Sequence, residues 1–193
     1  MRFLVLHAHP DPDSYSAALH AAVVGALAAA GHAVDDCDLH AEHFDPVLSR
    51  DERRAYHDLA QNRLPVADYV RRLEAAEGLV LVYPVWNFGF PAILKGFLDR
   101  VFLPGVSFRI ENGLVRPNLR RITRLAAVTT YGAPRWRACL MGDPPRKCIT
   151  RVLRALAASQ ARTRYLAHYD MNRSTPATRE AFLRDVRHCM EHF

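Results

Sequence analysis

The chain has 193 residues, half of them apolar and 24% charged, with a formal net charge of +6 at pH 7. That balance fits one globular domain over residues 1–193 with a substantial core, as in ordinary soluble globular proteins. Four cysteines without a CxxC pair, ten histidines without an HExxH and no secretory leader argue for reduced thiols in a cytoplasm, against a disulfide frame and against any metal site.

Arg2 to His7 is a continuous apolar run and predicts a first buried strand. In the following loop, Ala8 to Asp13, two prolines prevent regular structure, and Asp13, Ser14 or Ser16 can cap the next helix. Free amides and two hydroxyls at that helix start suit a phosphate, although ordinary capping explains the same residues. From Ser14 to Val34 there is no Asp, Glu, Lys or Arg across 21 residues. The alanines, His20, His32, Gly25 and Gly31 dilute this stretch too far for a membrane span, and its place after a strand, with no basic leader, rules against a signal peptide. It reads as a helix covered by protein, and its uncharged face hints at a second subunit.

His32 to Leu39 predicts strand two, Asp51 to Asn62 a charged helix or lid, and Pro65 to Ala76 a helix with Val66, Tyr69, Val70 and Leu73 on one face. Leu79 to Val82 reads as a central strand that stops at Pro84. Pro84 to Pro91 is then a loop whose Trp86, Asn87, Phe88 and Phe90 lie near water. Either a subunit covers them, or they hold a flat apolar ligand, or they plug the sheet edge. Pro91 can open a helix with Ile93, Leu94, Phe97 and Val101 inward.

Asn112-Gly113 between Phe108-Arg109-Ile110 and Leu114-Val115 predicts a small hairpin. Ile122 to Thr129 is the fourth strand and runs into Thr130-Tyr131-Gly132; Arg135 to Asp143 reads as a loop, Pro144 or Pro145 opens a helix to Ser159, Ala161 to Ala167 is the fifth strand, and Pro176 to His192 closes the chain as an amphipathic helix. Strands alternating with helices predict an α/β three-layer sandwich. Its five-stranded parallel sheet takes the flavodoxin-like order 2-1-3-4-5, so the loops after strands one, three and four converge at one edge. Between Arg116 and Arg164 stand 12 Lys or Arg against one acid, Asp143. Nucleic acid, an anionic small molecule and a solvated basic face all account for that block.

The segments HAHP…SYS, YPVWNFGFPAILKGFLDRVF and TTYG, over residues 3 to 135, resemble the NAD(P)H:quinone oxidoreductase (DT-diaphorase-like) family of flavoproteins. By position, the resemblance assigns His9, Ser14, Tyr15 and Ser16 to the flavin phosphate and ribose. It assigns Pro84, Val85, Trp86, Asn87 and Phe88 to the isoalloxazine ring, and Thr129, Thr130, Tyr131 and Gly132 to the ring's pyrimidine side. Tyr131 stands where the family often has glycine, so its phenol could bond the flavin and is the one candidate catalytic side chain. Trp86-Asn87 departs from the Gln-Trp of the animal enzymes.

The resemblance implies a homodimer with the site at its interface and ping-pong, two-electron reduction of quinone-like acceptors by NAD(P)H. Chain length leans to FMN over FAD, and Arg135 and Arg137 could meet NADPH phosphates. The other roles open at this stage are an ancillary flavoprotein subunit of a membrane ion-efflux system and a basic nucleic-acid-binding module.

Overall fold

The computed structural model describes residues 1–193. The chain runs β1 (Arg2–His7), α1 (Tyr15–Ala29), β2 (Ala33–Asp38), α2 (Arg50–Ala55), α3 (Ala67–Ala75), β3 (Gly78–Val85), α4 (Ala92–Val101), β4 (Phe108–Glu111), β5 (Leu114–Pro117), β6 (Arg124–Tyr131), α5 (Arg135–Leu140), α6 (Pro144–Lys147), α7 (Arg154–Leu156), β7 (Arg162–His168) and α8 (Pro176–Glu191). The main sheet is parallel in the order β2-β1-β3-β6-β7, with β4 and β5 as a separate hairpin. In terms of the five predicted core strands this is the expected 2-1-3-4-5.

Both faces of the sheet are covered. Phe3, Val5, Val80, Val82, Ala126 and Val128 pack on Leu19, Val23 and Leu27 of α1 and on Val186 and Met190 of α8. Leu4, Leu6, Leu79, Leu81, Leu125 and Ala127 face Val70 and Leu73 of α3, Phe97 and Val101 of α4, and Ile149 and Leu153. The uncharged surface of α1 thus has a partner within the chain, since α8 packs along it, while Ala18, Ala21, Gly25 and Ala28 remain exposed.

Three sequence expectations need correction. β3 does not stop at Pro84 but runs to Val85, with Pro84 opposite Thr130 and Val85 opposite Tyr131. The carbonyl of Val82 accepts from Ala8 N–H, so Val82 and, two residues on, Pro84 turn their hydrogen-bonding sides toward β1. β1 has ended there, so the proline's missing N–H breaks no ladder. The segment 51–62 forms only the short α2 followed by turns, and the buried Asn62 amide fastens those turns by donating to the carbonyls of Tyr56 and Pro104, each at 3.0 Å. The stretch read as a loop after Tyr131 contains α5, which Pro134 opens and which buries Ala138 alone, too little to leave an apolar period in the sequence. Between α6 and α7, Cys148–Leu153 is a π-helical stretch.

α2 is joined to α4 by charge. Ser49 and Glu52 form a capping box, and Arg100 of α4 donates through Nε to Glu52 Oε1 at 2.8 Å and through a terminal nitrogen to the Asp45 carbonyl. Burial alone would raise the Glu52 carboxyl, but the hydrogen bonds from Ser49 and Arg100 outweigh it and hold the pKa below the ordinary 4.5. A lowered carboxylate stabilises the fold above its unfolded pKa, and that contribution is lost as pH falls through the folded value. Glu52→Gln is therefore expected to cost about 1–2 kcal/mol at pH 7. In urea titrations at several pH values, the variant's stability should fall less than that of the wild type below pH 4.5.

Candidate functional site

The carboxyl ends of β1, β3 and β6 are neighbours in the sheet, so the loops leaving them share one edge. At the first, Ser14 caps α1 by accepting from Ala17 N–H at 3.1 Å, and its own hydroxyl proton has no acceptor in the protein. No acid lies in the first turn of α1, and the amides of Tyr15 and Ser16 find no acceptor. The positive end of the helix is left uncompensated, as an anion site requires.

The two hydroxyls do not converge, contrary to the sequence expectation. Successive α-helical residues turn by about 100°, so Ser16 points away from Ser14 and into the protein, 5% exposed, with Oγ 3.5 Å from His7 Nε2. The Tyr15 phenol likewise leaves the edge and donates to the Arg179 carbonyl at 2.7 Å; burial pushes its pKa up to about 12.

After β3, Trp86 and Gly89 exchange two backbone hydrogen bonds, at 3.2 and 2.8 Å, around Asn87 and Phe88, whose φ angles are +49° and +57°. This is a type I′ turn. Asn tolerates the left-handed region; an aromatic residue rarely occupies it, and the strain at Phe88 is of order 1–2 kcal/mol. Trp86 is 45% exposed and meets His9 edge to face, with ring centroids 5.8 Å apart. Thus His9 and Trp86, from different loops, come together. The amides of Asn87 and Phe88 have no acceptor.

After β6, the Gly132 amide is also unpartnered, whereas Thr129 is fully buried with its hydroxyl unpaired. Tyr131 does not present its phenol to the edge. Odd-numbered residues of β6 face the α3 and α4 layer, so the ring enters the core, 1% exposed, and stacks on Tyr169 at 4.6 Å. Its hydroxyl donates to Asp143 Oδ1 at 2.6 Å and lies 2.6 Å from the Tyr165 hydroxyl. Burial, then the bonds to Asp143 and Tyr165, raise its pKa far above 10, making it a poor acid. Asp143 and Tyr165 escaped the sequence reading, although the only acid in the basic block was the available signal.

That block is not one charged face. Arg124 donates to the Phe193 carbonyl at 2.6 Å, Arg154 to the Ala158 carbonyl at 3.0 Å, and Arg146 lies over the Tyr165 ring at 5.3 Å. Arg135 and Arg137 stay exposed on α5, with Arg137 over Trp136.

The edge therefore offers amide donors from each of three loops, a helix N-terminus and an exposed indole. That donor set fits a phosphate joined to a flat, hydrogen-bonding ring system such as a flavin.

A family model described as flavodoxin-like fold matches residues 1–186. The chain belongs to the flavodoxin-like family. Rat NAD(P)H dehydrogenase [quinone] 1 is 28% identical over 148 residues, covering 68% of this chain and 54% of the rat protein. The chain spans about half the length of the curated relatives it matches. The flavodoxin-like architecture is shared with Smu.1420 from Streptococcus mutans UA159, at 25% identity, full coverage of both chains and a TM-score of 0.84. It is shared too with an FMN-dependent NADH-azoreductase from Bacillus anthracis, 15% identical over 99% of this chain and 98% of that one, TM-score 0.79. The resemblance to quinone oxidoreductases read from three sequence segments is borne out by the name of the rat relative. No helix is long and apolar enough to cross a membrane.

Proposed function

We propose that residues 1–193 act as one flavin-dependent NAD(P)H:quinone oxidoreductase unit in the cytoplasm, working as a homodimer. The observation that carries this reading is the convergence of unpartnered amides from Tyr15, Ser16, Asn87, Phe88 and Gly132 on one sheet edge beside Trp86. The named activities of the rat and Bacillus anthracis proteins agree with it. The net reaction takes NAD(P)H, a proton and a quinone to NAD(P)+ and the hydroquinone.

The flavin, when bound, supplies the two-electron hydride chemistry in ping-pong fashion. The α1 start, with Ser14 and the Tyr15 and Ser16 amides, would hold its phosphate. Pro84 to Phe88 would hold the ring, with His9 bracing Trp86, and Thr130 to Gly132 would supply backbone donors at its far side. Fixed N–H dipoles of this kind favour negative charge on a reduced ring without reorganising. FMN is the favoured cofactor. The exposed Trp136, Leu140 and Met141 around α5 give the homodimer an apolar contact surface.

Purified protein reconstituted with FMN or FAD should retain one flavin per chain, lose its visible bands with NADPH in the absence of oxygen, and regain them when a benzoquinone is added. Retention of neither flavin overturns the proposal. Within it, Trp86→Ala is expected to weaken flavin binding at least about tenfold, equivalent to 1.4 kcal/mol. Phe88→Gly should weaken binding similarly while thermal melting stays level or rises, because relief of the left-handed strain offsets the lost contact. A melting point that drops with flavin affinity unchanged would assign Phe88 to packing alone.

A further inference from the structure

We propose that the protein carries a transition-metal site formed by His7, His20, Asp36 and Asp38, in the angle between β1, β2 and α1. His7 ends β1 and is the register partner of Asp38 in β2. Asp36 lies two residues earlier, on the same face of that strand. His20 comes down from the second turn of α1, and its ring stacks on that of His7 with centroids 4.4 Å apart and planes 2° from parallel.

Each imidazole is held by its own carboxylate. His7 Nδ1 lies 2.9 Å from Asp38 Oδ2, and His20 Nε2 lies 2.7 Å from Asp36 Oδ1. One ligand atom from each of His7, His20 and Asp38 falls within 4.8 Å of the others. A bound ion lies in the plane of each imidazole that ligates it, so closing to metal–ligand bonds of about 2.0–2.2 Å asks for rotations that swing the His20 ring out of its parallel stack on His7 and bring Asp36 inward. His20 and Asp36, at 14% and 45% side-chain exposure, are free to make them, while His7 at 2% forms the fixed inner wall.

The surroundings are arranged as an outer shell. Asp38 accepts from the amides of His40 and Ala41 through Oδ1, each at 3.0 Å, which fixes its other oxygen toward the histidines. For His7 to ligate through Nδ1, its proton must sit on Nε2, and the Ser16 hydroxyl 3.5 Å away is placed to accept it. A ligating histidine with its second nitrogen so engaged, and a ligating carboxylate anchored by amides, are what hold metal ligands in orientation. The two carboxylates bring two negative charges to the quartet, which match a divalent ion. Two nitrogens and two carboxylate oxygens suit Zn2+, Co2+ or Ni2+ better than Mg2+ or Ca2+, which take oxygen-only shells.

A rival set, His188, Glu191 and His192 at the end of α8, has no buried member. It serves as the internal control. The untagged full chain, freed of metal by chelation and dialysis, is titrated with Zn2+ by calorimetry and with Co2+ by visible absorption. The expected result is one ion per chain at micromolar affinity or better, with the intense Co2+ bands of a four-coordinate site.

His20→Gln should abolish that binding, and Asp36→Asn, at a half-exposed position that leaves the fold intact, should weaken it at least tenfold. His188→Gln/His192→Gln should leave it unchanged. No ion bound by the wild type, or an ion lost in the α8 variant and kept by both His20→Gln and Asp36→Asn, overturns the proposal. Flavin plays no part in the titration, so a failed oxidoreductase assay and a failed metal titration are separate results.

Discussion

Gly96→Ala is expected to destabilise the protein by about 3 kcal/mol, the upper part of the range for overpacking a rigid interior. Gly96 lies buried in the middle of α4, where a Cβ would stand 2.3 Å from the Pro46 carbonyl oxygen and 2.4 Å from Pro46 Cα. The obstacle is backbone, so no rotamer change relieves it. Nor can the crossing segment withdraw cheaply. Arg100, one turn along α4, donates to the Asp45 carbonyl and to Glu52; the Phe44 and Phe97 rings pack at 5.3 Å; and Asp45 Oδ1 accepts from Val47 N–H at 2.9 Å.

Urea unfolding should show the midpoint falling with an unchanged slope. Gly25→Ala on the exposed side of α1, where nothing lies within 4 Å, provides the control. There the usual helix preference applies, and stability should rise by up to about 1 kcal/mol. If Gly96→Ala matched the wild type, the close crossing of residues 44–48 over α4 would be wrong.

Tyr131→Phe is expected to cost about 2–3 kcal/mol, because it removes a hydrogen bond to a buried acid and leaves that acid unsatisfied. Asp143 is 7% exposed and precedes α6 on a left-handed backbone at φ +44°; its side chain makes no capping bond to the helix, and its Oδ1 accepts from the Tyr131 hydroxyl. With the Tyr131 proton directed to Asp143, Tyr165 donates to Tyr131, and the three groups form a chain of 2.6 Å contacts.

Tyr165→Phe should cost less, about 1 kcal/mol, since it leaves a phenol without one donor and no acid uncovered. The same variants separate structure from catalysis. On the proposed function, a phenol enclosed beneath the sheet would take no part in hydride transfer at the edge, so NADPH is expected to reduce flavin bound to folded Tyr131→Phe within a fewfold of the wild-type rate. A hundredfold loss in folded protein, with stability retained, would return Tyr131 to the reaction.

How far the site could be read in advance differs from loop to loop. His9 and Trp86 were singled out from separate segments, and they meet because strands one and three are neighbours, an outcome contained in the predicted strand order. A cap at Asp13, Ser14 or Ser16 was legible from the place of these residues after a proline loop and before an apolar run, and the structure selects Ser14. Tyr131 was misread because a tyrosine at a strand's carboxyl end looks the same in sequence whether the pleat sends it outward or under the sheet. Ser16 was misread for the corresponding helical reason, since two residues along a helix is just over half a turn.

By itself, the sequence determined the alternation of strands and helices, the order of the sheet and the edge at which the loops after β1, β3 and β6 meet. The physical reason is that a parallel strand covered on both faces must be apolar throughout, as at Phe3–Leu6, Leu79–Val82 and Leu125–Val128, and that right-handed crossovers leave few ways to join such strands. Only the tertiary structure decided what depends on register and on neighbours: that β3 continues through Pro84 because β1 has already ended, and that the Tyr131 phenol belongs to Asp143 rather than to the edge. The grouping of His7 and His20 with Asp36 and Asp38 is of this second kind. No local spacing encodes it, because it requires β1 and β2 in one particular parallel register with the second turn of α1 lying across them.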